Sequence, residues 1–100
     1  MPEFLYKLQL VREDMLRTGP TDSEKAVVAE HFAYLQDLTA RGVVIFVGRT
    51  LNVDQNSMGL AVFRAESEDA ARTIMNGDPV VKKGVMTATL YPFKVALQGK

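Results

Sequence analysis

Two stretches of this chain are apolar at nearly every position, and each has the length of a β-strand. They are VVIFV at residues 43–47 and LAVF at residues 60–63. A strand with one solvated face alternates apolar and polar residues, whereas these two present apolar side chains on both faces. The sequence therefore predicts a sheet that is covered by protein on both sides.

The first part of the chain predicts a strand followed by a helix. Residues 4–12 alternate as a strand does, and the polar stretch at residues 13–20 is expected to be a loop. Thr21 and Glu24 have the spacing of a capping box, which is typical of a helix start. This helix is expected to run to about Arg41, because Gly42 follows as a stop signal.

The second part of the chain supplies the other elements, which are strands at 43–48 and 58–65, a helix from Ser67 to about Gly77 and a strand at 85–97. The order is βαββαβ, and right-handed crossovers place both helices on one face of a four-stranded antiparallel sheet. This is the ferredoxin-like α+β fold. Its last strand lies at an edge, which agrees with Pro92 because proline removes a ladder donor.

Both predicted helices lie on one face, so the chain has no element left for the other. A chain of 100 residues is expected to form a single domain over 1–100. A second copy of the sheet is the simplest cover, which gives a homodimer with its sheets face to face, a dimeric α/β barrel. The alternative is a shallow apolar patch that the chain termini screen from water.

Charge and composition restrict the partners. The chain carries 12 Lys and Arg against 12 Asp and Glu, without the basic surplus that a nucleic-acid phosphate backbone requires. The RNA-recognition motif shares the βαββαβ order, but residues 58–63 lack its basic start and first stacking ring. We therefore expect no nucleic-acid partner.

No segment resembles a signal peptide or a transmembrane helix, and the chain has no cysteine. These features predict a cytoplasmic protein with no membrane partner. One histidine without cysteines or clustered carboxylates indicates no metal site, and the glycines form no phosphate-binding motif. We expect no cofactor.

The single histidine, His31, lies within the apolar stripe of the first helix, together with Val28, Phe32, Leu35 and Leu38. A buried imidazole must form a hydrogen bond or lose roughly 1–3 kcal/mol. His31 is therefore either a core side chain bound to a backbone carbonyl or a general acid–base group. Asp78 is the candidate partner. Because Pro79 follows it, Asp78 also suits the N-cap of a short helix, and one carboxylate can serve both roles.

Three segments, EHFAYLQDLTARGVVIFVGRT (30–50), ESEDAARTIMNGDPVVKKGV (66–85) and YPFKV (91–95), together resemble the YCII family. The resemblance covers most of residues 4–97 and implies a dimeric, ferredoxin-like α/β-barrel protein. The family's proposed active-site histidine and aspartate correspond to His31 and Asp78. The family usually has Gly-Pro where this chain has Gly48-Arg49. Arg49 is therefore either a charge at a pocket rim that binds an anionic ligand or a solvated side chain.

Two tyrosines are further candidates for substrate binding. Tyr6 and Tyr91 are expected on neighbouring strands, where they form a shared pocket wall or pack with their hydroxyls at the rim. The leading hypothesis is a small-molecule enzyme in which His31, oriented by Asp78, transfers protons as an isomerase, lyase or dehydrochlorinase on a cyclic or aromatic compound. The alternative is a non-catalytic dimeric module that binds a metabolite or stabilises an assembly.

Overall fold

The computed structural model describes residues 1–12 and 14–99. Its elements are β1 (Glu3–Leu10), α1 (Met15–Thr18), α2 (Asp22–Ala40), β2 (Val44–Arg49), β3 (Gly59–Arg64), α3 (Glu68–Gly77), α4 (Pro79–Lys82) and β4 (Met86–Phe93). Glu13, the first residue of the predicted loop, and Lys100, the last of the predicted domain, lie outside the described residues.

The four strands form one sheet in the order β2-β3-β1-β4, and neighbouring strands are antiparallel. The predicted ferredoxin-like α+β fold is thus confirmed, with β4 at an edge. Pro92 lies inside β4 opposite Phe4 of β1. The strand ends at Phe93, so it is shorter than the expected 85–97.

Local capping defines the starts of the two long helices. The Thr21 hydroxyl accepts a hydrogen bond from the Glu24 amide at 3.1 Å, and the Glu24 carboxylate accepts one from the Thr21 amide at 2.8 Å, which completes the predicted capping box of α2. The Ser67 hydroxyl caps α3 by accepting a hydrogen bond from the Ala70 amide at 3.1 Å. The expected loop contains the one-turn helix α1, whose preceding Asp14 provides no side-chain cap to signal it.

The core lies between the helices and one sheet face, and its members include Phe4, Tyr6, Leu8, Leu35, Leu38, Ala61, Phe63, Met75 and Val80. The rings of Tyr6 and Phe63 meet edge to face with centroids 5.6 Å apart. The predicted stripe of α2 is only partly buried, because Phe32 is 62 % exposed. This part of α2 borders a cavity rather than the packed core.

A β-bulge interrupts β2. Val44 lies opposite Phe63, but Phe46 lies opposite Val62, so the register shifts between these two residues. Side chains alternate faces along a strand, and one extra residue reverses that alternation. As a result Val44 and Val47 both face the helices, whereas Phe46 faces away from them.

The sheet face that points away from the helices is called the open face here. Its apolar residues are Leu5, Phe46, Leu60, Val62, Tyr91 and Phe93. Phe46, Tyr91 and Phe93 are 45 %, 42 % and 41 % exposed. Within the described residues, no helix has both the length and the apolar character that a membrane span needs.

Candidate functional site

Asp78 lies at the junction of two helices, with its side chain fully buried. It follows the last residue of α3 and precedes Pro79, the first residue of α4. Its Oδ1 accepts a hydrogen bond from the Val80 amide at 3.1 Å, which caps α4. The capping role predicted from the Asp-Pro pair is therefore present, and it fixes the carboxylate in one orientation.

The same carboxylate accepts hydrogen bonds from two side chains. Nδ1 of His31 lies 2.7 Å from Oδ1 and 2.8 Å from Oδ2, and the Tyr6 hydroxyl donates to Oδ2 at 2.7 Å. An ionised carboxylate only accepts hydrogen bonds, so Nδ1 of the imidazole is assigned the proton. The other ring nitrogen, Nε2, then has a lone pair with which to receive a proton from a ligand.

Tyr6 supports this carboxylate from beneath, where it is fully buried. Burial, together with the charge of Asp78 and the hydrogen bond to it, raises the pKa of Tyr6 far above its usual range. The phenol therefore stays a donor to Asp78. Sequence reasoning named Tyr6 as a candidate for substrate contact and missed this role, although the alternating pattern of the first strand placed Tyr6 on the same face as Phe4 and Leu8.

A cavity of about 640 Å³ lies beside His31, between α2 and the sheet. The His31 side chain is 15 % exposed. Most of the lining is apolar, and it includes Leu8, Leu10, Val28, Phe32, Leu35, Val47, Ala61 and Met86. Among the described residues, the polar side chains of the lining are His31, Arg49 and Ser57. The cavity therefore combines one imidazole, from His31, and one guanidinium, from Arg49, with a mostly apolar lining.

Tyr91 does not belong to this site. It lies opposite Leu5 on the open face, whereas Tyr6 lies opposite Leu90 on the helix side. Of the two alternatives left open for these tyrosines, a shared pocket wall is therefore contradicted. The strands are neighbours, as predicted, but the register places these side chains on opposite faces. Of the five candidate residues, His31 and Arg49 line the cavity, whereas Asp78 and Tyr6 are buried and hydrogen-bonded behind His31. Tyr91 lies apart, on the open face.

The segment between β1 and α2 covers one side of the cavity with Met15, Leu16 and Pro20. Arg12 holds this segment, because its guanidinium binds the Glu24 carboxylate at 2.6 and 3.1 Å and the Gly19 carbonyl at 3.1 Å. The hydrogen bond from Arg12 is the main cause that lowers the pKa of Glu24 to about 2. This ion pair ties the cavity wall to the first turn of α2.

The glycine before Asp78 also contributes to the geometry. Tyr34 of α2 donates a hydrogen bond to the Ile74 carbonyl at 2.7 Å. A Cβ on Gly77 would lie only 2.8 Å from that hydroxyl. Gly77 thus lets α3 approach α2 closely, just before Asp78 turns towards His31.

The described residues contain no group of three or more His, Asp or Glu side chains arranged to hold a metal ion. An imidazole that lines a cavity and is paired with a buried carboxylate is an arrangement that can accept and return a proton.

The fold and this pair define a ferredoxin-like α+β protein with a histidine–aspartate site under its helices. The chain belongs to the family of the YCII-related domain, whose model matches residues 7–94. Comparison with curated protein sequences found no significant match.

Two solved structures are similar to the chain. One is a 5-chloro-2-hydroxyhydroquinone dehydrochlorinase from Burkholderia phenoliruptrix in complex with 2,5-dihydroxybenzoquinone, with a TM-score of 0.65 and 22 % identity over 91 % of this chain and 93 % of that one. The other is a dimeric ferredoxin-like protein from an uncultured marine organism, with a TM-score of 0.44 and 14 % identity over 100 % and 99 %.

Proposed function

We propose that this chain is a small-molecule enzyme in which His31 transfers a proton to and from a cyclic or aromatic substrate. The observation that carries the proposal is the contact of 2.7 Å between His31 and the buried carboxylate of Asp78, beside a cavity of about 640 Å³. Cavities of roughly 300–1,000 Å³ suit small organic ligands.

The chemistry follows from the two ring nitrogens. Nδ1 is bound to Asp78, so Nε2 accepts a proton from a substrate C–H or O–H bond, and Asp78 stabilises the imidazolium that forms. Return of that proton to another substrate atom completes an isomerisation. If the electron pair released from the C–H bond instead expels chloride, the products are an alkene and hydrogen chloride, as in a dehydrochlorination.

The likeness to the dehydrochlorinase supplies a first probe. That protein's complex contains 2,5-dihydroxybenzoquinone, a flat ring compound. We propose that the cavity of this chain accepts compounds of similar size, and that the whole domain over residues 1–100 is the catalytic unit.

The test measures chloride release from 5-chloro-2-hydroxyhydroquinone, and binding of 2,5-dihydroxybenzoquinone, by wild type and variants. His31→Ala is expected to lower kcat/KM by about 10²–10⁴-fold, the usual contribution of a general base. Asp78→Asn is expected to lower it by at least about tenfold, because the neutral amide does not stabilise the imidazolium and can favour the wrong tautomer of the ring. Thr39→Val, which removes a hydroxyl bound to Leu35 on α2 outside the cavity lining, serves as the matched control.

Two outcomes would contradict the proposal. Turnover that survives in both variants would remove His31 and Asp78 from the chemistry. Binding of the quinone without turnover of the chlorinated compound or of a panel of enolisable ring compounds would favour the alternative, a non-catalytic metabolite-binding module. Circular dichroism checks that each variant is folded.

We also propose that two copies pair through their open faces as a dimeric α/β barrel. The support is the row of half-exposed aromatic side chains on that face, Phe46, Tyr91 and Phe93. The helices that pack on the sheet use its other side. Two sheets that stack at about 10 Å bury such residues against each other.

The cytoplasmic location expected from the sequence stays a prediction.

Sedimentation tests the dimer. The wild type is expected to be dimeric at micromolar concentration, and Phe46→Asp is expected to shift it to monomer by placing a charge in the interface. Val53→Asp is the matched control, because Val53 is 66 % exposed in the connection between β2 and β3. A monomeric wild type would refute this proposal.

A further inference from the structure

The bulge in β2 determines where Arg49 points. Counted from Val44 by simple alternation, Arg49 would lie on the open face. The register shift between Val44 and Phe46 reverses the alternation, and Arg49 lies opposite Gly59, on the side that faces the helices. Bulges often redirect a side chain next to a functional site. Here the redirected side chain is a cation of the sheet that lines the same cavity as His31 of α2.

The surroundings of Arg49 favour an anion. The lining of the cavity is mostly apolar, and Gly59 opposite Arg49 has no side chain to occupy the space. The ion pairs between described residues involve other cations, namely Arg12, Arg17, Arg41, Arg72 and Lys83, besides His31. A guanidinium beside an apolar wall binds a carboxylate or an enolate more tightly than its neutral analogue.

An aromatic side chain in the cavity lining indicates the shape of the ligand. Phe32 lines the same cavity, next to His31 on α2, and is 62 % exposed. An exposed aromatic face at a cavity mouth is suited to stack on a flat ring. The remaining wall offers aliphatic contacts from side chains such as Leu35 and Met86.

We propose that the substrate is a ring compound with a negatively charged oxygen group. Arg49 binds this group, and His31 accepts a proton from the same compound. This inference rests on the proposed function and narrows its substrate class. It also makes Arg49 a specificity-determining residue.

The test compares matched ligands that differ only in charge. Benzoate with benzamide, and cyclohexanecarboxylate with its amide, are titrated into wild type, Arg49→Gln, Arg49→Lys and Arg72→Gln by NMR. Arg72 lies on α3, pairs with Glu68 and is absent from the cavity lining, so it is the matched control. In wild type and in Arg72→Gln, we expect the carboxylate to bind at least about tenfold more tightly than the amide, the usual scale of a charge-assisted contact.

In Arg49→Gln this preference is expected to fall to within about threefold, and Arg49→Lys is expected to retain part of it. Equal affinity for carboxylates and amides in wild type would overturn the inference, as would an unchanged preference in Arg49→Gln. A failure of every carboxylate to shift signals of the cavity residues at 10 mM would overturn it as well.

Failure of the proposed function has a different signature. If carboxylate preference depends on Arg49 but turnover does not depend on His31, the anion site stands and the catalytic proposal falls. If turnover depends on His31 but neutral ligands bind as tightly as carboxylates, the catalytic proposal stands and the anion site falls.

Discussion

Removal of the hydrogen bond from Tyr6 to Asp78 tests how much the buried network around Asp78 stabilises the fold. Tyr6→Phe removes one hydroxyl and leaves the ring, which packs edge to face on Phe63. The carboxylate keeps its contacts with His31 and the Val80 amide. The change therefore isolates one bond of 2.7 Å between fully buried groups.

The magnitude follows from the nature of the acceptor. A hydrogen bond to a charged group contributes about 1.5–3 kcal/mol, and loss of the hydroxyl also removes its own cost of burial. A net destabilisation of about 1–2 kcal/mol is expected. For a domain of this size, 1 kcal/mol corresponds to a fall in Tm of about 4–8 °C.

The assay is urea unfolding of wild type, Tyr6→Phe, Asp78→Asn and the double variant. Their thermodynamic cycle should give a coupling energy of about 1–2 kcal/mol between the two side chains. Tyr34→Phe is the matched control. Its hydroxyl donates to the neutral Ile74 carbonyl, so a smaller loss of about 0.5–1.5 kcal/mol is expected.

A coupling energy below about 0.5 kcal/mol would refute the reasoning, because it would mean that the Tyr6 hydroxyl and the carboxylate do not stabilise each other. Tyr6→Phe that is no more destabilising than Tyr34→Phe would refute it equally.

Three further predictions concern pH and packing. The pKa of Tyr6 is raised from its ordinary 10.0, so the stability that Tyr6 contributes is present below pH 10 and lost as the pH rises further. Above pH 10, the free energy of unfolding should fall about 1.4 kcal/mol per pH unit more steeply for wild type than for Tyr6→Phe. The pKa of Glu24 is lowered from 4.5 to about 2, so stability should be lost as pH falls through that window, and acid titrations of Glu24→Gln should lack this loss. Gly77→Ala should destabilise wild type by about 1–2 kcal/mol in urea, because its Cβ displaces the Tyr34 hydroxyl, but should be neutral or stabilising in Tyr34→Phe, where helix propensity favours alanine.

The elements of this fold could be predicted from the sequence because their signals are local. The capping box of Thr21 and Glu24 gave the start of α2, and Ser67 gave that of α3. The edge position of β4 followed from Pro92 and from the handedness of crossovers. The short helix α1 was missed, because its first turn has no capping side chain.

The candidate pair of His31 and Asp78 was named from the family resemblance and from the Asp-Pro cap. The contact between them could not be predicted from the sequence, because the two residues are 47 positions apart. Only the packing of α2 against α4 brings the imidazole and the carboxylate together. The catalytic role of the pair remains a proposal.

The apolar runs of β2 and β3 by themselves determined that both sheet faces carry apolar side chains, because the composition of a strand does not depend on its register. Which side chain faces which side was decided only by the tertiary structure. Register and the bulge at residue 45 send Arg49 to the cavity and Tyr91 to the open face. A shift of one residue reverses every later side chain of a strand, and hydrogen bonding with the neighbouring strand sets that shift.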